Sequence, residues 1–164
     1  MSYLIKGVVS ALLAIICALV IRGYGGYMKK RLTESGELLR LCETIRKSIA
    51  TRLLTPREAL SGVSGLSPAT ERFRALVASG SPLGEAFAEV SGALSVSPAT
   101  RDMLSEYFGS FGKGYLDDEV RCADELIGRF REQLLREELA AEGELKVAKS
   151  VIIAVTLGII ILII

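Results

Sequence analysis

The chain contains no histidine among its 164 residues. Histidine is the most common general base near neutral pH and the most common metal ligand, so its absence removes the usual form of both kinds of site. Adjacent acidic residues occur at Asp117–Asp118 and Glu137–Glu138, but neighbours in sequence point apart on a helix. No nucleophile has a candidate base beside it. The sequence therefore predicts a protein that is not an enzyme and that has no metal and no other cofactor.

Cysteine is also scarce. Cys17, Cys42 and Cys122 are far apart and show no CxxC spacing. An odd, scattered set of this kind is typical of reduced, buried thiols and not of a disulfide framework. It favours a cytoplasmic location for the part of the chain between the two ends.

The chain also has no large excess of charge of either sign, because its formal net charge is only +1. Without a basic patch the chain has no positively charged surface that would attract nucleic acid, so no nucleic-acid partner is predicted. What the sequence does have is apolar residues, which make up 50% of the chain. They are concentrated at the two ends, while roughly Lys29 to Lys149 has the composition of an ordinary helical core and surface.

The first apolar run extends from Gly7 to Ile21, between Lys6 and Arg22. It covers about 22 Å as a helix against roughly 30 Å of hydrocarbon, and residues 3–5 complete a span if Lys6 reaches outward. A cleaved signal peptide is the alternative, but no small-x-small cleavage site follows the run. We therefore expect an uncleaved transmembrane helix that includes Val8, Leu12, Ile16 and Leu19.

The second apolar run is VIIAVTLGIIILII after Ser150, which predicts a second span that includes Val151, Ile152, Val155, Ile159 and Ile163. Basic residues lie on the inner side of both runs, at Arg22, Lys29, Lys30, Arg31, Lys146 and Lys149. The positive-inside rule then places the central domain in the cytoplasm and both termini across the membrane. The predicted division is 1–28 (first span and glycine-rich joint), 29–148 (cytoplasmic helical domain) and 149–164 (second span).

A long helix precedes the second run without a proline. Its apolar residues recur at steps of three and four, which makes one stripe on a helix: Leu116, Val120, Ala123, Ile127, Phe130 and Leu134. Charged residues fill the rest of its surface. The pattern predicts a helix that packs against the central domain along the stripe and then enters the membrane.

Every proline follows a hydroxyl residue, and these hydroxyl residues are Thr55, Ser67, Ser81 and Ser97. Serine and threonine are favourable N-cap residues and proline is favourable at the first helical position, so each pair predicts a helix start. Thr55 and Glu58 also form a capping-box pattern. Phosphorylation of the Ser-Pro pairs is the alternative interpretation.

The helices so marked are predicted at Pro56–Val63, Pro68–Ser79, Pro82–Leu94 and Pro98–Phe111. A basic helix from Lys29 to Arg52 precedes them, after a flexible joint at Gly23, Gly25 and Gly26. Its charges suit an anionic leaflet or are simply a solvated face. Few stretches alternate like strands, and FGSFGKG lacks the phosphate-loop pattern. The prediction is an all-α fold, a compact bundle of about six helices with a transmembrane helix at each end.

Several motifs carry a resemblance along essentially the whole chain. They are Ile49, Thr55-Pro56 with Glu58-Ala59-Leu60, Phe73 to Gly80, Glu85-Ala86-Phe87, Phe108-Gly109 with Gly112, and the apolar tail that ends in isoleucines. In this order the chain resembles the stage III sporulation protein AB family of endospore-forming bacteria. The resemblance implies a helical domain similar to the cytoplasmic domains of the inner-membrane platform proteins of type II secretion and type IV pilus systems.

The resemblance further implies a component of the channel between mother cell and forespore, with the domain on the mother-cell side. The implied partners are a cytoplasmic secretion-type ATPase (stage III sporulation protein AA), other stage III sporulation membrane components and membrane lipid. Two alternatives stay open at this point, a platform subunit of a secretion or pilus-like system and a membrane-anchored adaptor. The oligomeric state is also open, a homo-oligomer included.

Overall fold

The computed structural model describes the backbone of residues 2–51 and 55–163, and the side chains of these residues except 2–7, 10, 160, 162 and 163. Within these ranges it has six helices and no strand. The helices are α1 (Ser2–Thr51), α2 (Pro56–Ser61), α3 (Pro68–Ser79), α4 (Leu83–Ser91), α5 (Pro98–Ser110) and α6 (Leu116–Ile163). The chain is therefore all-α, as its sequence predicts.

Contacts divide the chain into two compact units. Lys30–Glu137 form one, named here the central unit, and Met1–Lys29 with Glu138–Ile164 form the other, named here the terminal pair. The first boundary lies beside the predicted one at 28/29. The second lies at Glu137, well before the predicted boundary at 148/149, because the last core residues that α6 contributes to the central unit precede it.

The core of the central unit contains buried side chains from each of its helices. Phe73 of α3, Phe87 of α4 and Phe108 of α5 meet at its centre, with ring centroids 5.2 to 6.0 Å apart. Around them pack the apolar faces of α1 and α6, including Leu38, Leu41, Cys42, Ile45, Ala123, Leu126, Ile127 and Phe130. Burial of this many large side chains is the main source of stability for a unit of this size.

Local chemistry explains where the short helices begin. Thr55 caps α2 in a complete capping box, since its hydroxyl accepts from the Glu58 N–H while the Glu58 carboxylate accepts from the Thr55 N–H. Ser97 caps α5 through a bond from the Thr100 N–H. Gly80 ends α3 at φ 107°, a left-handed conformation that favours glycine.

Two of the predicted caps differ in detail. Ser67 is the N-cap of α3, but its hydroxyl makes no cap bond and is held instead by the Glu37 carboxylate, with Ser67 Oγ 2.7 Å from Oε2. Helix α4 begins at Leu83 with Pro82 at its N-cap, so Ser81 lies one residue before the cap that it was predicted to be. Pro82 stays extended there, at φ −57° and ψ 144°.

In the terminal pair, the beginning of α1 and the end of α6 run antiparallel. Tyr24 Oη donates to Glu144 Oε2 at 2.9 Å, and Cys17 Sγ lies 2.9 Å from Thr156 Oγ1. Residues 23–26 are helical, so the flexible joint predicted at these glycines is not observed. A Cβ at Gly25 would lie 3.8 Å from Leu145 Cδ1, which shows how closely the two helices approach there.

Candidate membrane and docking surfaces

The terminal pair exposes a continuous apolar surface. On α1 it includes Val8, Leu12, Ile16 and Leu19, and on α6 it includes Val151, Val155 and Ile159. More than half of each of the Leu12, Ile16 and Leu19 side chains is exposed, at 54%, 55% and 63%. Ile152 is half-buried against α1, and the side chain of Ile163 lies outside the described residues. These positions were predicted from the sequence to lie within the two membrane spans.

Among the described residues, one helix is long and apolar enough to cross a membrane, the stretch of α1 that begins at Ala11. This finding rests on length and composition. It agrees with the predicted first span. The end of α6 is exposed and apolar but does not meet the same criterion within the described residues.

An apolar crevice lies between the two helices of the terminal pair. Ala14, Cys17 and Ala18 of α1 line one side and Ile152, Ile153 and Thr156 of α6 line the other, around about 330 Å³. The Thr156 hydroxyl also donates to the Ile152 carbonyl oxygen at 2.7 Å. The polar atoms of Cys17 and Thr156 therefore satisfy each other and the backbone inside an otherwise apolar contact.

The six predicted topology-setting cations occupy different surroundings. Arg22, Lys29, Lys146 and Lys149 are exposed on the terminal pair. Lys30 and Arg31 belong to the central unit, where Lys30 Nζ lies 3.7 Å from Glu34 Oε1 and Arg31 binds Glu137. The first four form no ion pair among the described residues, whereas Lys30 is paired although more than half of its side chain is exposed.

Glu137 is the centre of a buried polar network in the central unit. Arg31 Nε and Nη2 each lie 3.2 Å from its Oε2, and Gln133 Nε2 lies 3.0 Å from its Oε1. The Thr100 hydroxyl adds a longer bond of 3.4 Å to Oε1, and Ser97 donates in turn to Thr100. The network joins α1, α5 and α6 through hydrogen bonds instead of apolar packing.

Opposing influences act on the Glu137 carboxyl group. Burial raises its pKa, but the hydrogen bonds from neighbouring side chains, Gln133 among them, and the charge of Arg31 together lower it by more, so the pKa is below its ordinary value of 4.5. Glu137 is therefore held as a carboxylate. Its role in this position is to bind α1 and α5 to α6.

Glu34 is a second buried carboxylate, with no exposed surface on α1. Its Oε2 accepts a hydrogen bond from the backbone N–H of Ser95, in the loop between α4 and α5. Its Oε1 has no hydrogen-bond partner among the described residues, and the nearest positive charge is Lys30. Glu34 and Glu137 thus hold the loop and the start of α5 from two sides.

A polar groove of about 260 Å³ lies between α1 and α6 in the central unit. Arg46 Nε and Nη2 bind the two oxygens of Asp124 at 2.7 and 2.8 Å, and Arg131 pairs with Glu43. The hydrogen bonds from Arg46 hold the pKa of Asp124 below its ordinary range. Each of these two carboxylates is therefore paired with an arginine.

A second groove, of about 420 Å³, lies where α2, α3 and α4 meet in the central unit. Pro56, Val77, Leu83 and Phe111 supply its apolar lining, and Arg57 crosses its edge to donate to the Ala78 carbonyl oxygen at 2.7 Å. Its lining is more apolar than that of the groove between α1 and α6.

Five of the six residues of the predicted stripe of α6, all except Leu134, lie in or against the core. Ala123, Ile127 and Phe130 are buried, while Leu116, Val120 and Leu134 are partly buried. Leu126 is buried beside them and was missed, because it lies between two steps of the pattern.

The buried carboxylates were also missed, although the sequence contains a signal for them. Glu137 continues the α6 stripe by one more step from Leu134, and Glu34 precedes Leu38 by one step on the apolar face of α1. A carboxylate in phase with an apolar stripe indicates a buried charge with a partner.

The remaining polar groups form no recognisable centre. Within the part of the chain that the structure describes, no group of three or more cysteine or acidic residues has the arrangement of a metal site. Cys17 is half-buried, Cys42 is buried, Cys122 is exposed, and all three are free thiols. Comparisons with protein-family models, with curated proteins and with solved structures found no match for this chain.

Proposed function

We propose that this chain is a non-enzymatic platform subunit, anchored in the cell membrane by the terminal pair and presenting the central unit to partners. The observation that carries the anchoring is the exposed apolar surface of the terminal pair. Each large apolar side chain that stays in water lacks about 2 kcal/mol of favourable burial free energy. Soluble monomers rarely expose apolar patches beyond a few hundred Å². Lipid removes this cost.

The second span belongs to the same proposal. The contact between Cys17 and Thr156 pairs the first apolar run with the second. A polar pair of this kind is favourable between membrane helices because neither group finds water in the hydrocarbon. Lys146 and Lys149 then lie on the same side of the membrane as Arg22 and Lys29, which favours a cytoplasmic central unit.

The central unit supports docking better than catalysis. Its perturbed carboxyl groups at Glu58, Glu71, Asp124 and Glu137 are accounted for by a helix cap or by arginine partners. Such groups stabilise a fold and are poor proton donors or acceptors in a reaction. The concave, partly apolar groove beside Phe111 is the kind of surface that another protein can occupy.

The cellular role in this proposal comes from the sequence resemblance. It is a subunit of the channel complex between mother cell and forespore, required for endospore formation, on the mother-cell side. Its partners are a cytoplasmic secretion-type ATPase, stage III sporulation protein AA, and other stage III sporulation membrane components.

Affinity purification of the full chain from detergent-solubilised membranes of a sporulating host tests this role. We expect the secretion-type ATPase and other channel components to co-purify, and deletion of the gene to arrest sporulation after engulfment begins. A deletion strain that sporulates normally would refute the sporulation role. Recovery of a pilin, or of an unrelated soluble enzyme without an ATPase, would instead support the platform of a pilus-like system or an adaptor.

A further inference from the structure

Three positive charges lie at one level of the terminal pair. The Tyr24–Glu144 hydrogen bond marks that level, with Arg22 near one end of the bond and Lys146 and Lys149 near the other. At 1.5 Å per residue, all three cations lie within about 8 Å of the bond along the helix axes. All three also lie on the side of the bond that is nearer to the apolar runs. Arg22 directly follows the first run, and Lys146 and Lys149 precede the second. Arg22, Lys146 and Lys149 are named here the cationic band.

The side chains of the band are exposed, and within the described residues none of them forms an ion pair, although Glu142 and Glu144 lie nearby on α6. The nearest carboxylate in sequence, Glu144, accepts the Tyr24 hydroxyl. Seven arginines of the central unit are, by contrast, each paired with a carboxylate.

The position of the band matches the headgroup layer of a bilayer. That layer is about 6 Å deep on each side of the hydrocarbon, close to the axial depth of the band. Long basic side chains extend from the edge of the hydrocarbon into this layer, and anionic headgroups attract them there.

We propose that the cationic band binds the headgroups of anionic phospholipids and concentrates them around the terminal pair. The inference rests on the proposed anchoring and adds the lipid class that the anchor selects. Two helices supply the three charges, so the site exists only when the helices are paired as the contact between Cys17 and Thr156 pairs them.

The chain contains no tryptophan, so one introduced tryptophan reports on the lipids around it without background. Leu19→Trp places the probe on an exposed position one helical step from Arg22, within the apolar surface. The full chain with this substitution is reconstituted in phosphatidylcholine vesicles that contain a minor fraction of phosphatidylglycerol. Bromine, which quenches tryptophan fluorescence, is carried on the acyl chains of one lipid or the other.

We expect the quenching by brominated phosphatidylglycerol to exceed the value predicted from its mole fraction by up to about fivefold. This factor is the enrichment of anionic lipid expected from one surface cation. Arg22→Gln with Lys146→Gln and Lys149→Gln should return quenching to that share. The matched control replaces one arginine and two lysines of the central unit, Lys47, Lys113 and Arg129, which are exposed and form no ion pair among the described residues. It should leave the enrichment unchanged.

The proposal is overturned if the band variant and the parent quench alike, or if the control variant loses as much enrichment as the band variant. Arg22→Lys keeps the charge and should keep the enrichment, which separates charge from side-chain shape. Extraction of the protein from vesicles by alkaline carbonate would contradict the anchoring itself. That result is distinct from an inserted protein without lipid preference, which contradicts the band alone.

Discussion

Glu137 shows how the central unit tolerates a buried charge on a helix face that is otherwise apolar. A carboxylate removed from water is costly unless hydrogen bonds replace the lost solvation. Arg31, Gln133 and Thr100 supply those bonds from three helices.

Replacement of Glu137 by glutamine should destabilise the full chain by about 2 kcal/mol, since the half-buried Arg31 loses the partner of a charged hydrogen bond. The measurement is the urea midpoint of the protein in detergent. Glu138→Gln, at the exposed neighbour, removes the same charge and should change stability by less than about 0.5 kcal/mol. Equal shifts for the two variants would contradict the assigned network.

Acid should weaken the same network. The folded pKa of Glu137 lies below its ordinary value of 4.5, so its contribution is present above that value and is lost as the pH falls through the lower, folded pKa. We therefore expect the stability difference between the natural chain and Glu137→Gln to be constant near neutral pH and to shrink on acidification below 4.5. Urea titrations at a series of pH values measure it, and a difference that grows in acid would exclude this role.

At the scale of the helices, α4 and α5 approach closely at Gly84. A Cβ there would lie 3.1 Å from the Phe108 carbonyl oxygen and 3.2 Å from Gly109 Cα, both of which are backbone atoms that cannot turn away. The close contact allows Phe87 and Phe108 to meet in the core. Glycine is used here for its size, since α4 needs no unusual backbone conformation at this point.

Gly84→Ala should therefore cost about 1–2 kcal/mol, because overpacking of two helices outweighs the gain in helix propensity. Gly128→Ala is the matched control on α6, where nothing lies within 4 Å of the added Cβ. It should stabilise the chain by about 0.5–1 kcal/mol. Thermal unfolding of both variants decides the sign, and stabilisation by Gly84→Ala would refute the close approach.

The pairing of α1 with α6 in the terminal pair can be tested by a disulfide. In a chain whose other cysteines are serine, Thr156→Cys places a thiol where the Thr156 hydroxyl lies, 2.9 Å from Cys17 Sγ in the natural chain. Mild oxidation in membranes should link the two positions within one chain, as seen by mass spectrometry of the joined peptides. Val155→Cys, which points away into the exposed surface, should not form the link. Equal linking at both positions would argue against this register.

Short helices were the part of the fold most accessible from sequence, because their start signals are local. Thr55-Pro56, Ser67-Pro68 and Ser97-Pro98 each precede the helix that they predict. The flexible joint predicted at the glycines of residues 23–26 was wrong, because the helix-propensity cost of about 1 kcal/mol for each glycine is smaller than the free energy gained by packing the helix. Partners such as Glu37 for Ser67, or Arg31 for Glu137, join distant parts of the chain and leave no trace in local sequence.

At the scale of the whole molecule, the three cysteines differ enough in solvent exposure that their chemical labelling can report the membrane topology. Cys122 is exposed on the central unit, and Cys42 is buried, with burial raising the pKa of its thiol to about 12. Cys17 is half-buried in the crevice of the terminal pair. Only Cys122 should react with a reagent that cannot cross lipid.

A membrane-impermeant maleimide should leave the protein unlabelled in intact cells and should add one label in broken membranes. Cys122→Ser should abolish that label. Mass spectrometry of the purified protein counts the labels. Labelling of Cys122 in intact cells would place the central unit outside and would overturn the proposed orientation.

The long apolar helix near the N-terminus was also accessible from sequence, since long uncharged runs need no tertiary information. The extent of the central unit was not, because Glu137 is bound into that unit by side chains of α1 and α5, while the helix that carries it continues without a break in sequence pattern. A boundary between units that falls inside a continuous helix therefore gives no signal in the sequence.

The contact between Arg31 and Glu137 joins the first and last turns of the central unit. The chain therefore enters and leaves this unit at adjacent points. A module with neighbouring ends can be exchanged or inserted without altering the distance between the segments that it joins. The central unit is in this sense a cassette, and another helical domain with the same end-to-end spacing could be grafted in its place between the same two flanking segments.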